Sequence, residues 1–300
     1  DIYRILMKIV MFHYVRNFKK NLRYFNFFEN KKFDKLINKH KKKIIKNENE
    51  IIKDSKKVLL TFDDGLKDHF HVAKKLYREK LTGIFFISSK PYRNKKILDV
   101  HLSQLILGKV GGKIALTELL KYVEEKKLSK FLNPNEKEIF SSRYSTHQDI
   151  EETKKFKKII NFYFNIKKRK KVLKYLTKKF KINFKYSDIY LTISEIKKMH
   201  KMGMIIGSHA DTHVPLSRLR YKDQFTEINT SKDFIEKITN RKCEHYCHPY
   251  GRKSSYNKNT LGILKTLNFK FGYSVEDRDA NVEDFKKKFE LPRFDCNNFI

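Results

Sequence analysis

Three polar clusters in this chain hold residue types that do chemistry, and each follows a short apolar run. Asp63-Asp64-Gly65 follows Val58-Leu59-Leu60-Thr61-Phe62, and Ser208-His209-Ala210-Asp211-Thr212-His213 follows Met204-Ile205-Ile206-Gly207. Pro249-Tyr250-Gly251 follows His245-Tyr246-Cys247-His248. Adjacent carboxylates at a strand end point in different directions, because side chains alternate along a strand. One can bind a cation while the other faces a reacting water. Two imidazoles at i and i+4 fall on one side of a helical turn and can bind one ion. One carboxylate oxygen with two imidazole nitrogens leaves coordination positions open for water and substrate, the arrangement of a hydrolytic divalent metal. A second carboxylate beside it can take the proton. The competing readings are an ordinary Asp-Asp-Gly turn and a chance pair among 11 histidines. The place of His209 after a buried run, with Gly207 before it and Pro215 after it, argues against chance.

The elements that must position these clusters follow from the hydrophobic pattern. Residues 7–15, 58–62 and 83–88 read as buried strands, with a helix over 69–80 between the last two. Successive β–α steps predict a parallel sheet with helices outside it. In such barrels the strand C-termini gather on one face, so three clusters far apart in sequence would converge there. Residues 17–56 are basic with a helical pattern around Phe33, Leu36, Ile37, Ile44 and Ile45. From 96 to 190 the pattern is helical: Leu116, Leu119, Leu120 and Val123, then Phe156, Ile159, Ile160 and Phe164, then Val172, Leu173, Leu176 and Phe180. Within it, 129–150 reads as a mobile link. The β–α rhythm resumes at 191, with helices over 193–202, 221–240 and 255–268 and strands over 204–208, 245–248 and 269–275. The expected organisation is therefore 1–95 and 191–300 as two parts of one α/β barrel, with 96–190 as a helical insertion.

Composition narrows the function classes. A net charge of +34, from 68 Lys+Arg against 34 Asp+Glu, favours anionic partners. Lys, Asn, Ile, Phe and Tyr are abundant and Trp is absent, so A/T-rich codon usage is the simpler origin of the excess, which is spread along the chain. A surface this basic would still attract a phosphate-bearing substrate. Cys243, Cys247 and Cys296 make no disulfide framework and suit a reducing compartment. No apolar run reaches membrane-span length and no signal peptide is visible, so a cytoplasmic protein is expected, with peripheral membrane contact open to it. Gly108-Lys109-Val110-Gly111-Gly112-Lys113 lacks the preceding strand and following Ser/Thr of a phosphate loop and reads as a turn between helices. No nucleic-acid module is present; a basic outer face over an aromatic core stripe explains 151–181, and no specific nucleic-acid partner is expected.

With Thr61-Phe62-Asp63-Asp64-Gly65, Ser208 to His213, His248-Pro249-Tyr250-Gly251 and an opening His13-Tyr14-Val15-Arg16, the sequence resembles the polysaccharide deacetylases of the NodB-homology type, carbohydrate esterase family 4. The resemblance frames most of the chain; 96–190 has no counterpart in the core pattern. It implies a distorted (β/α) barrel with fewer than eight complete strands. It implies that Asp64, His209 and His213 bind a divalent metal, usually zinc, and that Asp63 is the base for the attacking water. It implies an amide oxyanion met by the backbone N–H of Tyr250, with Pro249 and His248 lining the pocket. The expected reaction removes an N-acetyl group from an amino sugar of a glycan or glycan precursor, with phosphate-linked sugars among the expected substrates. Removal of formyl from a lipid-linked aminosugar and a non-catalytic glycan- or nucleic-acid-binding relative are the alternatives.

Two departures from the family pattern stand out. Many members open the third motif with an Arg that orients the catalytic Asp, whereas Cys247 stands here. Members that deacetylate exported poly-N-acetylglucosamine also lack that Arg. Many supply a late His as general acid, whereas Leu291-Pro292-Arg293 occupies that place. Arg293 is left to contact substrate or to position Asp63, and the proton donor to the leaving amine is left unassigned. A zinc site from Cys243, His245, Cys247 and His248 is disfavoured, because alternation points His248 away from the other three.

Overall fold

The computed structural model describes residues 7–53, 56–128 and 149–299. The chain divides into two compact units, one of Asp1–Asn17, Phe27–Lys96 and Tyr186–Ile300, the other of Phe18–Asn26 and Ile97–Lys185.

The first unit is built on strands β1 (Lys8–Phe12), β2 (Val15–Arg16), β3 (Phe28–Glu29), β4 (Val58–Phe62), β5 (Ile84–Ile87), β6 (Ile205–Ser208), β7 (His245–Cys247), β8 (Phe271–Tyr273) and β9 (Phe294–Asp295). β2 and β3 pair alone; the other seven form one sheet in the order β8-β7-β6-β5-β4-β1-β9. Every pairing in it is parallel. Leu291 bridges Tyr273 of β8, and Phe294 then pairs with Val10 of β1, so the segment 291–295 touches both edges. The sheet is thereby curled into the distorted (β/α) barrel expected, with seven strands.

Period-two alternation sorts the strand residues into two layers. Ile9, Leu59, Ile84, Phe86, Cys247, Phe271, Tyr273 and Leu291 pack together inside the curl. Val10, Leu60, Phe62, Phe85, Ile87, Ile206 and Tyr246 face the helices. Those helices include His69–Arg78, Ile193–Lys201, Tyr221–Thr239 and Lys258–Thr266. Their starts are chemically marked. Thr192 accepts from Glu195 N at 3.1 Å while Glu195 returns a bond to Thr192 N at 2.7 Å, a reciprocal cap. Asn257 caps Lys258–Thr266 in the same way, so that helix starts three residues later than the pattern predicts. Among the described residues of 17–56 the α-helical segments are Asn30–His40 and the short Glu50–Lys53, with a 3-10 turn at Lys20–Leu22; Ile44 instead bridges Val58 of β4.

The second unit is helical in its described residues. Asp99–Glu125, Glu151–Lys158 and Ile166–Lys179 bury Leu116, Leu119, Val123, Phe156, Ile160, Val172, Leu173 and Leu176 against one another. Leu120, expected in that stripe, is 40% exposed. The expected turn at 108–113 is an interruption of the long helix at Gly111, whose φ of 78° suits glycine. Arg169 is buried in this core and donates to Asp99 at 2.9 Å. The link read at 129–150 lies, over 129–148, outside the described residues. Among the described residues no helix is long and apolar enough to cross a membrane.

Candidate active site

Inside the curl, the file of inward residues changes from apolar to polar at the strand C-termini. Thr61 and Asp63 continue β4 beyond Leu59, His209 follows β6, Cys247 ends β7, and Arg293 follows Leu291. All five are buried. Arg293 is fully enclosed and its fork closes on Asp63, with Nη1 to Oδ1 at 2.7 Å and Nη2 to Oδ2 at 2.9 Å. It also donates from Nε to the Ser274 carbonyl at 3.0 Å, from Nη1 to Thr61 Oγ1 at 3.1 Å and from Nη2 to Cys247 Sγ at 3.0 Å. Of the two roles the sequence leaves open for Arg293, these bonds are those of positioning. Burial pushes the Asp63 carboxyl upward, but the charge and hydrogen bonds of Arg293 outweigh it and hold the group at about 2. Asp63 is thus an ionised, fixed carboxylate at neutral pH.

Asp64 points elsewhere, as adjacency at a strand end requires. Its Oδ1 lies 3.3 Å from His213 Nε2 and 3.5 Å from His209 Nε2. The three ligand atoms lie within 4.8 Å of one another, and all three residues are buried. A tetrahedral zinc with bonds near 2.0–2.1 Å separates its ligand atoms by about 3.3 Å, so the donor set fits such an ion. His209 Nδ1 lies 2.9 Å from the Cys247 carbonyl oxygen. A proton on that Nδ1 donates to the carbonyl and leaves the Nε2 lone pair facing Asp64, the outer-shell arrangement that orients metal-binding imidazoles. Burial lowers the pKa of His209, which favours the neutral, ligating form. Asp63, His209 and Cys247 also lie close together. That set is the poorer one, because Arg293 occupies both Asp63 oxygens and burial pushes the Cys247 thiol well above its ordinary pKa.

The two imidazoles do not converge by sharing a helical turn. Residues 209–213 form a bent loop, with Ala210 at φ 57° and His213 at φ 53°. Side chains brace the bend. Asp211 accepts from Ser89 Oγ at 2.5 Å and Arg93 Nη2 at 2.5 Å. Glu227 accepts from Thr212 N at 2.8 Å and Thr212 Oγ1 at 2.7 Å, and Ser88 Oγ donates to the His209 carbonyl at 2.9 Å. Asp64 and Tyr250 also have positive φ, 80° and 64°. Left-handed backbone at non-glycine residues is costly and collects where side chains must be aimed.

In the third cluster, Pro249 is buried and the Tyr250 ring meets the edge of His213 at 4.9 Å. His248 faces the core: its Nε2 lies 2.8 Å from the Phe289 carbonyl, its ring stacks on Tyr256 at 3.9 Å, and burial holds it at about 3. His245 joins Tyr273 Oη at 2.9 Å and Glu48 at 3.0 Å, while Cys243 packs on the helix side of the sheet. Among the described residues Cys243, His245, Cys247 and His248 form no common ligand set.

The sequence reading missed several participants. Ser88 and Ser89 follow the apolar run of β5, and the strand-end rule applied to the first three clusters would have found them. Arg93 and Glu227 sit on helices and carry no local signal. His13 was noted only within the opening strand. Phe12 is in register with Phe62, and Asp63 N donates to the Phe12 carbonyl at 2.9 Å, so His13 is the residue after β1 just as Asp63 is the residue after β4. His13 is half-buried, and its carbonyl lies 2.8 Å from Nε2 of buried His69.

Residues 147–272 match the family model described as Polysaccharide deacetylase. The match includes His209 and His213 and stops short of the Asp63-Asp64 segment. No curated protein matches the chain. The whole fold is similar to a Streptococcus pyogenes deacetylase, PplD, solved in complex with acetate (16% identity, TM-score 0.59, 98% of this chain and 93% of that one). It is also similar to IcaB from Ammonifex degensii (14% identity, TM-score 0.55, 97% and 91%) and to a de-N-acetylase from Aggregatibacter actinomycetemcomitans (12% identity, TM-score 0.54, 96% and 94%).

Proposed function

We propose that the chain, whose residues 147–272 match the family model described as Polysaccharide deacetylase, is a metal-dependent hydrolase removing the N-acetyl group from an amino sugar of a glycan or glycan precursor. The observation that carries the reading is the convergence of Asp64, His209 and His213 on one point beside a carboxylate, Asp63, that Arg293 holds ionised. Those three residues would hold a divalent ion, zinc by the fit of the donors, which would supply a lowered pKa for a water and polarisation of an amide carbonyl.

The chain's own groups do the rest. Asp63 accepts the proton of the attacking water, and the fork of Arg293 fixes which oxygens face it. The Cys247 carbonyl keeps His209 in the ligating tautomer. The backbone N–H of Tyr250, in a turn that seats its ring against His213, is the donor for the amide oxyanion. His13, at the strand end next to Asp63, delivers a proton to the leaving amine, so that acetate and a free amino sugar separate. Acetate is the ligand in the structure of the similar Streptococcus pyogenes deacetylase. The net charge of +34 favours a substrate bearing phosphate.

The test is acetate release from a panel of N-acetylated amino sugars, free and phosphate-linked, with formate release from N-formyl counterparts run beside it. Acetate release abolished by a chelator and restored by zinc supports the reading. Formate release alone reassigns the acyl group. No turnover of any substrate by metal-loaded protein refutes the enzyme.

A further inference from the structure

The helix Ile166–Lys179 of the second unit carries seven Lys and one Arg and no Asp or Glu. Codon usage alone does not produce this segregation. The helix Tyr221–Thr239 of the same chain has three Lys balanced by four acidic residues. The one Arg, Arg169, is buried and bonded to Asp99, on the side of the helix that also buries Val172, Leu173 and Leu176. Lys167, Lys170, Lys171, Lys174 and Lys178 are all exposed. At 100° per residue these five fall within roughly a third of the helix circumference, centred opposite the buried stripe. They span about 17 Å of axis. Among the described residues none of the five has an ion-pair partner. Beside the stripe, Ile166 is 38% exposed.

From this geometry we propose that the lysine face of Ile166–Lys179 binds an anionic phospholipid surface, holding the protein peripherally at a membrane. Lysine ammonium groups are hydrated point charges on flexible stems, without the planar fork that shapes a site around one phosphate. The stripe offers no exposed aromatic ring for stacking bases. It matches a plane of many mobile headgroups, where each Lys near the surface contributes about a fivefold gain in partition. The flanking Ile166 adds apolar contact at the interface. The proposal does not depend on the deacetylase reading.

The experiment is co-sedimentation of the full chain with phosphatidylserine-containing and pure phosphatidylcholine vesicles, at low and high salt. Two variants accompany the parent: the stripe variant K167Q/K170Q/K171Q/K174Q/K178Q, and a control, K31Q/K32Q/K35Q/K39Q/K42Q, that removes the same charge from exposed lysines of the first unit. The expected result is salt-sensitive binding to the anionic vesicles only, lost by at least about a hundredfold in the stripe variant and kept within a few fold in the control. Both variants should show unchanged melting, since every substituted residue is exposed. Equal losses in the two variants would reduce the effect to net charge and overturn the proposal. So would parent protein that binds RNA or polyphosphate but not anionic vesicles.

Discussion

The two units place their charge in opposite ways. Inside the curled sheet, Asp63, Asp64, His209, His213 and Arg293 are buried and turned towards one another over a few ångströms. On Ile166–Lys179, Lys167, Lys170, Lys171, Lys174 and Lys178 are exposed, all of one sign and turned outward. Burial lowers the local dielectric, so the first arrangement fixes protonation states and geometry and is suited to chemistry. Exposure leaves charges screened and mobile, so the second can only attract. Substitutions in the first region should therefore change the catalytic step or the fold, and those in the second should change neither.

The largest effect is expected at Asp63. Asp63→Asn keeps the shape, removes the base, and should lower kcat by about a thousandfold or more. Because Asp63 is not in the ligand set, metal content should stay at the parental level. A variant that keeps substantial activity would assign the base elsewhere. Next comes Arg293→Ala, which leaves the Asp63 carboxylate buried without its counter-charge. Loss of one partner of such a pair costs about 3–5 kcal/mol of stability, readable as a lower denaturation midpoint. Arg293→Lys keeps the charge without the fork and should separate orientation from charge, with kcat falling while KM moves little.

The pH dependence follows with a definite sign. Asp63 sits at about 2 in the folded chain against 3.8 ordinarily, so its pairing with Arg293 stabilises the fold above the ordinary value. That contribution is lost as pH falls through the folded value. In Arg293→Lys the opposing influence weakens while burial remains, so the acid limb of kcat/KM should move to higher pH. An unmoved limb would separate Asp63 from the proton transfer. A smaller loss, about a hundredfold in kcat with metal content unchanged, is expected for His13→Gln, which takes away the proposed proton donor to the leaving amine. Smallest of all, the stripe variant of Ile166–Lys179 should deacetylate a small neutral substrate at the parental rate. Any large loss there would break the division of labour between the units.

Much of the first unit was legible because its signals are local. Apolar strands ending in Asp63-Asp64, in His209 and in Pro249-Tyr250-Gly251 place the clusters at one end of a parallel sheet, and the parallel sheet and its strand ends are observed. What stayed hidden was made by long-range packing. Arg293 reaches Asp63 across 230 positions of sequence, and nothing near either residue encodes the pairing. The bend that brings His209 and His213 together depends on Ser89, Arg93 and Glu227 from other elements. A spacing of four mimics a helical turn, and only those braces replace it with a loop. His248 reads as a pocket residue from its place in the motif, yet its ring is taken up by Tyr256 and the Phe289 carbonyl.

The central claim is that Asp64, His209 and His213 hold one divalent ion beside a base that is not itself a ligand. Its most direct test is calorimetric titration of zinc into metal-stripped parent, Asp63→Asn and His209→Ala proteins, each checked for a parental melting profile with activity read on the same samples. About one equivalent should bind tightly to the parent and to Asp63→Asn, with activity only in the parent, while His209→Ala should lose both tight binding and activity. Tight zinc binding retained by His209→Ala, or lost from folded Asp63→Asn, would contradict the account.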